Sequence, residues 1–204
     1  MDAQSEYAGL MQLAQVLSTQ NDYQEILRLT TQHTTHLLEA EVAAILMANP
    51  RSMQTIKTIH REGDNESPRE YQLLQTLISG WVIKYNQSLC ITDFRQDSRF
   101  NKLKLERIAV RSLLGVPVRV EGVLIGSLLV INKLNGDAFS QEELSFLEKL
   151  SMIAAPYLRN VQALALFFQT QMPPSVLLTK YAGMGLLGKS KKFLDLLQDR
   201  KSVV

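Results

Sequence analysis

The sequence predicts an α/β sandwich of the α+β kind: a central antiparallel sheet of five or six strands with helices packed on its faces. Three observations carry this. Amphipathic helical patterns stand at both ends of the chain. The apolar runs between them include pairs joined by short turns, as antiparallel neighbours are. No βαβ repeat and no glycine-rich turn after a strand is present, which argues against a dinucleotide-binding Rossmann domain. With 204 residues, 46% of them apolar, the chain can build one sizeable core with extensions but not two full domains.

The elements follow in order. Leu10, Leu13 and Leu17 keep three-and-four spacing, so Glu6 to Thr19 reads as an amphipathic helix. Asn21 with Gln24 has the form of a capping box opening a second helix to about Glu39, with Ile26, Leu29, His33 and Leu37 on its apolar face. Val42–Met47 reads as a buried strand, Asn49–Ser52 as a turn and Thr55–His60 as its partner. After a polar loop, Leu73–Tyr85 forms a third helix with Leu74, Leu77, Ile78 and Trp81 inward. Leu89–Ile91 is a short strand, and Arg99–Ile108 is basic and helical or irregular. Three strands follow: Ser112–Val116 leading into Pro117, Val118–Val120, and Val123–Asn132, the last two joined at Glu121-Gly122. Ser140 with Glu143 is a second capping box, opening a long helix from Gln141 to about Gln169.

Composition narrows the function classes. A net charge of +2 gives no global reason to expect nucleic acid or an anionic membrane as a partner. One cysteine, Cys90, excludes an internal disulfide and chemistry that needs a resolving thiol. His33, His36 and Glu39 share the spacing of a helical metal half-site, but no second half-site accompanies them, and ordinary surface or core histidines are the expectation. No Ser-His-Asp order or carboxylate pair stands out, so no catalytic residue is assigned. The start, MDAQSEYAGL, lacks the basic residues of a signal peptide, and the longest apolar run is too short to span a bilayer, so a cytoplasmic protein is expected.

Charge divides the chain. Met1–Pro174 holds 16 basic and 18 acidic residues, net −2, and Ser175–Val204 holds 6 and 2, net +4. The two prolines at Met172-Pro173-Pro174-Ser175 favour extended chain between them. We therefore expect a domain over residues 1–170 that includes terminal dimerisation helices. Residues 171–204 are then a linker, a basic tail or the start of an effector domain.

Three pieces of sequence, in this order, carry a family resemblance. The first is Gly80-Trp81-Val82 leading to Ser88–Asp93 and then Asp97-Ser98-Arg99-Phe100. The second is Arg111–Val118 followed by Gly122–Gly126, and the third is Asn132-Lys133, Phe139 and Glu143. Over about Met11–Leu166 the chain resembles a GAF domain, a small-molecule sensory module. The third piece resembles the NK…F signature of GAF domains in cyclic-nucleotide phosphodiesterases and cyanobacterial adenylyl cyclases. It departs from that pattern where Leu144 replaces the second acid. In the family these residues support the fold more than they touch ligand. The residues also read, and rather more readily, as purely structural, with Asn132 ending a strand and Lys133 pairing with an acid.

The resemblance implies a pocket lined by Asp93, Phe94, Asp97 and Phe100, with Ile108 and Ala109 as further walls. Above it the basic stretch Arg95, Arg99, Lys102, Lys104, Arg107 and Arg111 would form a lid, net +4 after Asp97 and Glu106 are counted. A cation there could face a phosphate, a phenyl ring could stack on a purine, and a carboxylate could accept from an exocyclic amine. The alternatives are a solvated charged face, phenylalanines in the core and Asp97 as a helix cap. The implied ligand is cAMP or cGMP, with no tightly held cofactor or metal. Bilin-carrying GAF domains use a cysteine in a Cys-His or similar setting, and the methionine-sulfoxide-reducing GAF enzymes need several cysteines. Cys90, alone in an apolar strand, reads as an inert thiol, and the domain as non-enzymatic.

Leu147, Leu150, Ala154, Tyr157, Val161, Leu164 and Phe168 repeat at 3-4-3-4-3-4, an a/d stripe interrupted by Pro156, which is expected to kink the helix near Met152. With the Leu10-Leu13-Leu17 helix it predicts a homodimer whose later turns pair between copies. Ligand occupancy would pass along this helix to a linked or neighbouring effector domain in signal transduction. A ligandless dimerisation scaffold is the rival reading. A further one comes from Gly183–Ser190, which fits the phosphate-loop spacing and would put Lys189 against a nucleotide. Only fourteen residues follow Ser190, so a complete ATPase is not expected within this chain. Together with Phe193, Leu196 and Leu197, the segment instead resembles the opening of the AAA+ domain in sigma-54 activators, whose GAF domains act as sensors in transcription regulation.

Overall fold

The computed structural model describes residues 3–48, 55–61, 69–100 and 110–170. The chain divides into a compact unit, Met1–Val161, and a second stretch, Gln162–Val204. Four helices, α1 (Ala3–Ser18), α2 (Tyr23–Leu37), α3 (Arg69–Tyr85) and α4 (Gln141–Thr170), are described, with five strands: β1 (Ala40–Ala48), β2 (Thr55–Arg61), β3 (Leu89–Ile91), β4 (Leu113–Val120) and β5 (Val123–Lys133). The strands form one antiparallel sheet in the order β2-β1-β5-β4-β3.

Alternation along the strands sends side chains to two cores. Ile45, Met47, Leu114, Val116, Leu128 and Val130 meet Leu13 and Leu17 of α1, Ile26 and Leu27 of α2, and Phe146, Leu147 and Leu150 of α4. On the other face Val42, Ala44, Leu89, Ile91, Leu113, Leu129 and Ile131 meet Leu74, Ile78 and Val82 of α3, with Phe94 and Phe100. Helices therefore cover both faces, as the sequence predicts.

Several local expectations need correction. The N-cap of α2 is Asp22, not Asn21: its carboxylate accepts from the Glu25 N–H at 2.8 Å while its backbone stays extended. The buried face of α2 is also polar. Thr30, Thr31, Thr34 and Thr35 join Ile26 and Leu27 inside, while Leu29, His33 and Leu37 are only partly buried. Threonine is tolerated there because each hydroxyl donates to a carbonyl of its own helix, as Thr30 does to Ile26 at 2.7 Å and Thr34 to Thr30 at 2.7 Å.

The two short strands expected around Pro117 are one strand. Asn132 N–H donates to Ser112 C=O, so even-numbered residues of β4 bond β5 and odd-numbered ones face β3. Pairing with β3 ends at Leu89–Gly115, so Pro117 turns its missing donor to a side with no strand among the described residues, and the Ser151 hydroxyl donates to its carbonyl at 3.2 Å. β4 and β5 join through Glu121 (φ 51°) and Gly122 (φ 79°), both left-handed, as a two-residue hairpin requires. Residue Gly126 permits a close approach: a Cβ there would collide with the Leu46 carbonyl oxygen.

α4 opens on the predicted capping box. Glu143 N–H donates to Ser140 Oγ at 3.2 Å, and Ser140 N–H to Glu143 Oε2 at 2.8 Å. The helix runs through Pro156. Among the described residues no helix is long and apolar enough to cross a membrane.

Candidate ligand-binding site

β3 is a three-residue strand, and the chain leaves it through two aspartate-centred turns. Asp93 Oδ1 accepts from Arg95 N–H at 3.0 Å and its Oδ2 from the Gln96 amide at 2.6 Å. Asp97 Oδ1 then accepts both from Arg99 N–H and from Arg99 Nε, each at 2.9 Å. These turns bring Phe94 and Phe100 under α3, where both are buried and stack with ring centroids 5.9 Å apart. Trp81 of α3 meets Phe100 edge-on at 6.4 Å. The Arg99 guanidinium lies 5.4 Å from the Trp81 ring and 5.9 Å from the Phe100 ring. Its hydrogen bonds hold the Asp97 carboxyl below the usual carboxylate range, and Arg99 is itself held above its own.

A second group lies at the end of the sheet. Phe94 N–H donates to Arg111 C=O at 2.7 Å, and Arg111 N–H donates to Asn132 Oδ1 at 2.8 Å. Asn132 is buried, with φ 53°, and its Nδ2 donates to Glu41 Oε2 at 2.8 Å. Arg111 closes the ring by donating to Glu41 Oε1 at 2.9 Å. Next in sequence, Lys133 pairs with Glu143 of α4 at 2.8 Å. Burial opposes ionisation of Glu143, but Lys133 and the Ser140 donors overcome it and hold the carboxyl below its usual value. Phe139 is fully buried beneath this junction. An open cleft of about 440 Å³ beside it is lined by Asp93 and Arg111, with Thr92, Arg95, Val110, Gly136, Asp137 and Ala138.

The predicted site residues thus separate into two groups. Phe94, Asp97, Arg99 and Phe100 gather with Trp81 under and beside α3. Asp93 and Arg111 meet at the cleft, next to the Asn132, Lys133, Phe139 and Glu143 motif. Ile108 and Ala109 lie outside the described residues, as do Lys102, Lys104, Arg107 and the Gly183–Ser190 segment.

Sequence reasoning missed Glu41, because its partner Asn132 is 91 positions away. Trp81, which the helical pattern places inward, packs partly buried against the core and also lies beneath the Arg99 cation. Cys90 is half-buried, with Sγ 3.8 Å from the Phe139 carbonyl, and burial together with Glu143 raises its thiol pKa, which disfavours the reactive thiolate. No group of three or more His, Cys, Asp or Glu side chains among the described residues is arranged to hold a metal ion.

An antiparallel sheet with helices on both faces, and a charged, aromatic segment after β3, defines the chain as a mixed α/β domain. The model of the GAF domain matches residues 22–158, and the chain belongs to the GAF family, the small-molecule-binding regulatory modules of signalling proteins. Its fold is similar to that of the GAF domain of an Acinetobacter phosphoenolpyruvate-protein phosphotransferase (TM-score 0.62, 20% identity, covering 80% of this chain and 97% of that one). The GAF domain of the corresponding Coxiella burnetii protein is similar as well (TM-score 0.61, 17% identity, 81% and 99% covered). So is a free methionine-R-sulfoxide reductase from Neisseria meningitidis solved with its substrate (TM-score 0.58, 14% identity, 80% and 95% covered). At these identities the likeness is one of fold. No curated protein matches the sequence.

Proposed function

We propose that this chain is a non-enzymatic, cytoplasmic sensor of a cyclic nucleotide, cAMP or cGMP, that works as a homodimer and reports occupancy through α4 to an output domain. The observation that carries the reading is Arg99, a guanidinium held over Trp81 and Phe100 by the carboxylate of Asp97. A ligand phosphate can replace that carboxylate, because a planar guanidinium binds either in the same forked geometry. The aromatic rings beside it suit a purine face.

Communication would follow the contacts already described. Phe94 is bonded to Arg111, Arg111 to Asn132, and the neighbouring Lys133 to the first turn of α4. A ligand that binds one arrangement of the Phe94–Phe100 segment better than another shifts the population of both ends of this chain of contacts. Tyr7 and Met11, exposed one turn apart on α1, offer an apolar surface to a second copy.

Burial of Phe94 and Phe100 favours a second reading, in which side chains fill the layer and the domain is a ligandless dimerisation scaffold. A thermal-shift titration with cAMP and cGMP, and ATP as control, separates the two. Binding to the folded state alone raises Tm as ln(1 + [L]/Kd). A saturating rise with one cyclic nucleotide is the expected result, and no rise with either would favour the scaffold.

A further inference from the structure

α3 buries Leu74, Ile78 and Val82 against the sheet, yet it also turns polar side chains inward and leucines outward. Leu73, Leu74, Leu77, Ile78, Trp81 and Val82 make one apolar arc, and burying that arc evenly would leave Gln75 and Ser79 at or beyond its rim. The structure instead buries Gln75 completely and Ser79 almost so, and leaves Leu73 60% and Leu77 43% exposed. At 100° per residue the buried arc is displaced by roughly a quarter-turn from the apolar one. Inside, neither Nε2 nor Oε1 of Gln75 has a hydrogen-bond partner among the described residues. An unpaired buried amide is costly, and turning two leucines to solvent adds to the cost. A buried amide without partners is expected at a functional or strained site, and a ligand would supply the partners that Gln75 lacks. Leu74, Ile78 and Val82, which lie beside Gln75 on the buried face, belong to the same core as Phe94 and Phe100.

We propose that Gln75 is the recognition residue for a ligand bound between α3 and the sheet, one that presents a hydrogen-bond donor and an acceptor side by side. A carboxamide offers the complementary pair, N–H₂ and C=O, and reads the edge of a nucleobase or a cyclic amide through two bonds at once. The proposal rests on the reading of the domain as a small-molecule sensor and adds the group that would select the ligand's planar edge.

The test uses the full chain with Gln75→Met, which keeps the length of the side chain and removes its polar atoms. Gln75→Leu repeats the test with a different shape. Each protein is titrated by thermal shift with cAMP, cGMP, adenosine and guanosine. We expect the ligand-free Tm of at least one variant to rise by about 2–4 °C, because an orphaned amide has been removed. Wild type should show a saturating shift with at least one probe, and both variants should bind that probe about tenfold more weakly or worse. A ligand-free Tm that falls or stays level in both variants overturns the proposal, since the amide is then already satisfied. Binding that survives both substitutions overturns it while leaving the sensor reading intact. Shifts with the nucleosides alone would count against the cyclic phosphate but keep Gln75, and no shift with any probe would overturn both.

Discussion

Lys133 and Glu143 join the last residue of β5 to the first turn of α4 through an ion pair of 2.8 Å, with both side chains largely shielded from solvent. The same glutamate completes the capping box with Ser140, so one carboxylate both starts the helix and fastens it to the sheet. Lys133→Met should destabilise the fold by about 1–3 kcal/mol, because it leaves a half-buried acid without its cation. Ser140→Ala should cost about 1 kcal/mol. Urea denaturation of each variant checks both.

Acidification tests the same junction. The folded-state pKa of Glu143 lies below its ordinary value of 4.5, so its contribution is complete above 4.5 and is lost as pH falls through the lower folded value. Stability measured across that window should fall more steeply in the wild type than in Glu143→Gln. Parallel curves would assign the acid sensitivity elsewhere.

A third expectation concerns the sheet. Gly126→Ala should destabilise by about 1–3 kcal/mol, since the new methyl meets the Leu46 backbone, which cannot move without disturbing β1. Chemical denaturation reads this directly, and an unchanged midpoint would mean that the two strands separate more easily than their register implies.

At the candidate site, Arg99→Ala should abolish a saturable cyclic-nucleotide shift, and Asp97→Ala should alter it by releasing the guanidinium. Unchanged binding in both variants would remove this cluster from the site.

The proposed association surface is separable from stability. Tyr7 and Met11 are 66% and 52% exposed, so Tyr7→Glu with Met11→Glu should leave Tm nearly unchanged and convert a dimer to a monomer in sedimentation velocity. A species of unchanged mass would move the contact away from α1.

Much of this fold is legible in the sequence where local chemistry decides it. Ser140 and Glu143 announce a helix start, and Glu121-Gly122 announces a hairpin, because each signal is complete within four residues. Reading fails where distant groups decide. Asn21 and Asp22 are both competent caps, and only the approach of the chain selects Asp22. The threonines of α2 look polar and therefore exposed, yet back-bonding to the helix makes them fit for the interior. Pro117 looks like a strand end because nothing local reveals that β3 stops two residues short of it.

The candidate site is legible to the same degree. Phe94, Asp97, Arg99 and Phe100 come from one short segment and are found together. Glu41 and Gln75 come from other elements, and no spacing in the sequence connects them to it.

Pro117 and the brevity of β3 also bear on how copies of the chain meet. Past Leu89, β4 has no strand on its outer side among the described residues, and a free strand margin invites another chain to extend the sheet. Here that margin carries a proline without an N–H, a carbonyl already taken by Ser151, and Arg119, whose guanidinium Nε donates to Asn86 at 2.8 Å. β3 itself turns only the N–H and C=O of Cys90 away from β4. Around Pro117 this border therefore offers few free backbone groups to an added strand, a defence of the kind that natural sheet edges carry.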